Sequence, residues 1–86
     1  MESNIAMAIK VKYGLVHVPS QRKCRSWIRE VAVHRGAGLP PEHAGWQAAR
    51  RVFPYEARQL HDPAASAVTE ILTLAEDSGD DPPRRQ

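Results

Sequence analysis

The sequence predicts a small α+β fold, mostly helical, in which an N-terminal strand or hairpin precedes three main helices. Three observations carry this. The apolar period changes from two to about 3.6 at Pro19-Ser20. Turn and cap residues divide the rest of the chain, first between Gly36 and Pro41 and again at Asp62-Pro63. The last stretch, EDSGDDPPRRQ from Glu76, has nothing to bury in a core.

The strand rests on alternation. Ile5, Met7, Ile9, Val11 and Tyr13 alternate with Ala6, Ala8, Lys10 and Lys12. Gly14 interrupts the pattern and marks a bulge or turn. Leu15-Val16-His17-Val18 continues the strand or begins a second one, which Pro19 ends. A lone strand is marginal in water, so it must pack on helices or pair with the same strand of a second chain, giving a homodimer.

The first helix starts at Ser20, a good N-cap. Cys24, Trp27, Ile28, Val31 and Ala32 come after it at helical spacing, with Arg22, Arg25, Ser26 and Arg29 on the other face. Gly36 is the expected C-cap, with His34 and Arg35 in the last turn, where positive charge is favoured. Pro40-Pro41 opens the second helix, and Glu42 suits its positive end. Ala44, Ala48, Ala49 and Val52 face inward, with Trp46 and Phe53 at the flanks. Gly45 weakens this helix by up to about 1 kcal/mol relative to alanine. Pro54 ends it, and Tyr55 to Leu60 reads as a short helical turn. Asp62-Pro63 restarts a helix whose apolar stripe is Val68, Ile71, Leu72 and Ala75.

With 86 residues, one small domain is expected, spanning 1–76 and trailed by a disordered tail over 77–86. The net charge of +2 is unevenly spread. Met1 to His61 holds ten Lys/Arg against four Asp/Glu, and Asp62 to Gln86 holds two Arg against six Asp/Glu. A basic body points to an anionic partner, although an ordinary solvated face accounts for the same charges. Cys24 is the lone cysteine, which fits a reducing cytoplasm. No apolar run has the length of a membrane span and no signal-peptide pattern opens the chain, so neither membrane insertion nor secretion is expected.

Two polar stripes are candidates for nucleic-acid contact. Arg22, Arg25 and Arg29 lie on the outer face of the first helix and would meet phosphates. His43, Gln47, Arg50 and Arg51 form a stripe on the second helix, and such side chains reach base edges or phosphates. The window from Arg29 to Phe53 (REVAVHRG, then Leu39-Pro40-Pro41-Glu42, then WQAARRVF) resembles the helix-turn-helix of bacterial regulators. That resemblance implies double-stranded DNA binding by a helix-turn-helix-like pair. The turn containing Gly36-Ala37-Gly38 departs from it in being longer than the common short form. Val16-His17-Val18-Pro19 with Ser20 to Gly36 after it resembles the strand, proline and first helix of ribbon-helix-helix repressors. There, paired strands would present Lys10 and Lys12, or His17, to bases.

Other constellations weigh little. His17, His34, His43, His61 and Cys24 lack the paired spacing of a zinc site, so no metal is expected. No nucleophile motif, P-loop or dinucleotide fingerprint is present, so neither a cofactor nor an enzymatic activity is expected. Trp46, Phe53 and Tyr55 would anchor a protein partner if exposed together. The expected function is therefore a small cytoplasmic DNA-binding transcriptional regulator. The alternative is a non-enzymatic modulator, an antiactivator or inhibitor that binds an acidic protein surface or a nucleoprotein complex.

Overall fold

The computed structural model describes residues 4–58 and 67–78. Among these, all regular structure is helical: α1 (Asn4–Tyr13), α2 (Gln21–Gly36), α3 (Pro41–Val52) and α4 (Val68–Ser78). The α+β expectation is overturned, because the segment expected to be a strand or hairpin is α1. Period two and period four overlap here. Ile5, Ile9 and Tyr13 lie four apart, and as a helix they form one stripe with Ala6, all at most 6% exposed. Ala6, Met7, Ala8, Lys10 and Lys12 are good helix formers, so propensity and burial agree on the helix. No strand edge remains among the described residues for a second chain to pair with. The strand-paired homodimer and the strand reading of Lys10, Lys12 and His17 fall with it.

The reading of α2 holds at its start and shifts at its end. Ser20 caps it, its hydroxyl accepting a hydrogen bond from Lys23 N at 3.2 Å. The helix runs through Gly36, and the left-handed residue is Gly38, at φ +100°. Leu39 N donates back to His34 O at 3.2 Å and Gly38 N to Arg35 O at 2.9 Å, which closes the helix end. The turn from α2 to α3 is thus Ala37 to Pro40, as the stop at Gly36 and the start at Pro40-Pro41 imply.

α3 begins at Pro41, as its proline predicts, and ends before Pro54. The expected start of the last helix at Asp62-Pro63 lies outside the described residues. From Val68, the stripe Val68, Ile71 and Ala75 is buried, and Leu72 is half-buried. Glu70 accepts a hydrogen bond from Ala67 N at 3.2 Å, half of a capping box. α4 continues to Ser78, so Asp77 and Ser78 belong to the helix and not to a tail. The rest of the expected tail lies outside the described residues.

The four helices share one core of Ile5, Ile9, Tyr13, Trp27, Val31, Phe53, Val68 and Ile71 with the alanines of α3. Trp27 and Val31 join Ile71 there, while Ile28 and Leu72 pack on its margin. Gly45 is the close-approach point. A Cβ there would lie 2.5 Å from Val68 Cγ2 and 2.6 Å from Tyr13 Oη. Its carbonyl also accepts the Trp27 indole N–H at 3.1 Å. The glycine that weakens α3 as an isolated helix thus lets α1, α2 and α4 converge on it. No helix among the described residues is long and apolar enough to cross a membrane.

Candidate nucleic-acid interface

α2 and α3 form a helical hairpin that packs through contacts remote from its turn. Trp27 meets Gly45, and Glu30 meets Arg51. Near the end remote from the turn, Lys23 Nζ lies 5.9 Å from the Phe53 ring centroid. The contact is extensive because α3 offers alanine and glycine inward, so the backbones approach closely.

Together the two helices carry seven Lys/Arg and two Glu. Arg22, Arg25 and Arg29 are all exposed on the outer face of α2, as their spacing predicts. On α3, His43, Arg50 and Arg51 are exposed and Gln47 is half-buried. His43 Nε2 and Gln47 Nε2 lie 3.3 Å apart, so these two members of the stripe hold each other.

The two stripes are joined at one edge. Arg22, Lys23, Ser26, Glu30 and Arg51 line an open groove of about 560 Å³ between the start of α2 and the end of α3. Glu30 is the acid on this surface, and its Oε1 lies 3.3 Å from Arg51 Nε and 3.6 Å from His34 Nε2. Among the described residues no ion pair engages Arg22, Arg29 or Arg50. The other glutamate, Glu42, points away to α1 and α4. Its carboxylate takes Lys12 Nζ at 2.8 Å and Val68 N at 2.7 Å. Burial would raise its pKa, but the hydrogen bonds from Lys12 and Val68 and the Lys12 charge outweigh that and hold it below its ordinary value. Glu42 is thus engaged elsewhere, Glu30 offsets part of the charge at Arg51, and the cations still outnumber the acids on the two helices.

Spacing alone does not single out Lys23, although it adjoins Arg22 at the start of α2. Its neighbour Arg51, distant in sequence, gives it a place in the groove. The three aromatic residues expected as partner anchors separate. Phe53 is 3% exposed and belongs to the core. Trp46 is half-buried and stacks on Tyr13, the centroids 6.2 Å apart. Tyr55 is 99% exposed.

No group of three His, Cys, Asp or Glu side chains converges among the described residues. Cys24 is buried. Comparison with protein-family models, with curated proteins and with solved structures finds no match to this chain.

Proposed function

We propose that the protein is a small non-enzymatic DNA-binding regulator that lays the outer surface of its α2–α3 hairpin on the phosphate backbone. The observation that supports this is the charge of that surface. Seven cations stand on the two helices, and both of their glutamates are engaged in ion pairs. A surface of this kind gains affinity by releasing counterions from the nucleic acid. In this reading Arg22, Arg25 and Arg29 meet phosphates, and His43, Gln47, Arg50 and Arg51 approach the bases. In this reading the protein shares a compartment with DNA.

The test is a titration of duplex DNA across a range of salt concentrations, read by fluorescence anisotropy. Affinity should fall steeply and log-linearly with salt. Arg25→Ala should weaken all sequences alike and flatten the slope by about one. Arg50→Ala should relax preference at one base pair by about 1–3 kcal/mol. Absence of affinity at low salt would end this reading.

One observation favours the second reading, a modulator that binds a protein. Met7 and Val11, one helical turn apart on the outward side of α1, are each 42% exposed. A helix apolar on both sides commonly has both sides covered. In that case Met7→Lys or Val11→Lys should abolish partner binding and leave the fold intact, as seen by circular dichroism.

A further inference from the structure

Of the arginines on the outer face of α2, Arg22 alone opens onto the groove between the start of α2 and the end of α3. Lys23 and Arg51 line the same groove, with the hydroxyls of Ser20 and Ser26 on its α2 side. Two contacts fix where these cations stand. Lys23 Nζ lies 5.9 Å from the centroid of the Phe53 ring, which is buried and so a firm support. Arg51 Nε reaches across to Glu30 Oε1 on α2 at 3.3 Å. Arg51 therefore leans toward α2, whereas its neighbour Arg50 does not line the groove.

The groove holds three cations against one carboxylate, Glu30. No ion pair among the described residues engages Arg22 or Lys23. Ser20 Oγ accepts the Lys23 amide at 3.2 Å and keeps its own proton to donate. Donors from two helices thus face one space, and charged donors of this kind make the strong bonds to phosphate oxygens. The setting matters for position as well as for affinity. Arginines on an open helix face can meet phosphates at any register. A groove with cations on both helices holds one phosphate in one place, and phosphate contacts fix a protein's register and orientation on a duplex.

We propose that this groove seats a single backbone phosphate of the duplex, held by Lys23 from α2 and Arg51 from α3 beside Arg22. This rests on the nucleic-acid reading above, adds Lys23 to its contacts, and assigns Arg51 to the backbone, where spacing within α3 alone groups it with the bases. Glu30 then has two effects. It draws Arg51 over the groove, and its charge opposes the phosphate that Arg51 meets there.

The experiment titrates the full chain with several duplexes of different sequence across a range of salt, read by fluorescence anisotropy. Lys23→Gln and Arg51→Gln should each weaken every duplex alike, roughly five- to ten-fold at low salt, and flatten the salt slope by about one. The double variant should lose less than the product of the two, with its slope still lower by only about one, because both residues act on one phosphate. Glu30→Gln should bind roughly two- to three-fold more tightly than the wild type, a gain that no folding defect produces. Unchanged affinity in both groove variants, beside a loss in Arg25→Ala, would overturn the seat and leave the duplex reading standing. A full product of losses, with the slope lower by about two, would assign Lys23 and Arg51 to separate phosphates and overturn it as well. Arg51→Gln relaxing preference at one base pair would overturn it by returning Arg51 to the bases. Inorganic phosphate displacing duplex better than chloride at equal ionic strength would overturn it in favour of a small phosphorylated ligand. No duplex affinity at low salt would overturn the nucleic-acid reading and this proposal together.

Discussion

At the scale of single residues, Gly45 and Tyr13 set each other's limits. Gly45 reads in the sequence as a local defect, a residue that costs α3 helix stability. Its reason is tertiary and therefore invisible in the chain: Val68 and Tyr13 occupy the space a side chain would take. Gly45→Ala gains helix propensity of about 1 kcal/mol but must displace atoms of a packed core. Overpacking of that kind typically costs about 1–3 kcal/mol. The net outcome should be a lower denaturant midpoint, and an unchanged or higher midpoint would show that the core yields without strain. Tyr13 predicts the opposite sign. Its ring is 2% exposed, yet its hydroxyl has no hydrogen-bond partner among the described residues, and the Trp27 indole N–H is given to the Gly45 carbonyl. Burial, reinforced by the Glu42 carboxylate, pushes the phenol above its ordinary pKa, so the neutral form is the one the core holds. Tyr13→Phe removes an unsatisfied buried oxygen and should be neutral or stabilising by about 1 kcal/mol in the same unfolding assay. A loss of stability would mean that the hydroxyl has a partner in solution.

At the scale of elements, the legible parts were those whose signals are local. The Ser20 cap, the Pro41 start and the stripe Val68, Ile71, Ala75 could be read directly, because caps and periodicity belong to one segment of chain. α1 could not be read so simply. Ile5, Ile9 and Tyr13 satisfy a strand and a helix equally, and only the three-dimensional core selects the helix. Glu42 was legible as a helix-start residue but not as a junction. Its carboxylate joins the end of α1, the start of α3 and the start of α4 through Lys12 and Val68 N. Because its folded pKa is depressed, its contribution is present above the ordinary carboxylate range and is lost as pH falls through the folded value. The glutamate side chain is 56% exposed, so solvent screening limits the effect to under about 1 kcal/mol. Glu42→Gln should therefore lower the urea midpoint near neutral pH, and the gap to wild type should narrow as the solution is acidified below pH ~4. A gap independent of pH would assign the loss to the hydrogen bond with Val68 and not to charge.

At the scale of the whole molecule, the sequence showed that the body is basic but not how its charge is arranged. Arg22, Arg29 and Arg50 could be placed on outer faces by spacing alone. That Arg51 and Lys23 share a groove with Arg22 depends on how the two helices pack across the turn at Gly38, which spacing within one helix does not show. Of the aromatic trio, adjacency in sequence suggested one patch, whereas the chain reversal after α3 sends Phe53 inward and Tyr55 outward. The hairpin also has a consequence in time. Trp27 and Gly45 are 18 residues apart, whereas Glu42 and Val68 are 26 apart and Val16 and Glu56 are 40 apart. The longest of these closures exceeds the shortest by about one doubling of loop length, which is only about 0.6 kcal/mol of entropy. The larger bias comes from packing, since α2 and α3 share the most extensive helix–helix contact in the fold. Sequence-local contact of this kind forms early in folding. The positive surface should therefore form ahead of the docking of α1 and α4, an order that φ-values high in α3 and low in α4 would bear out.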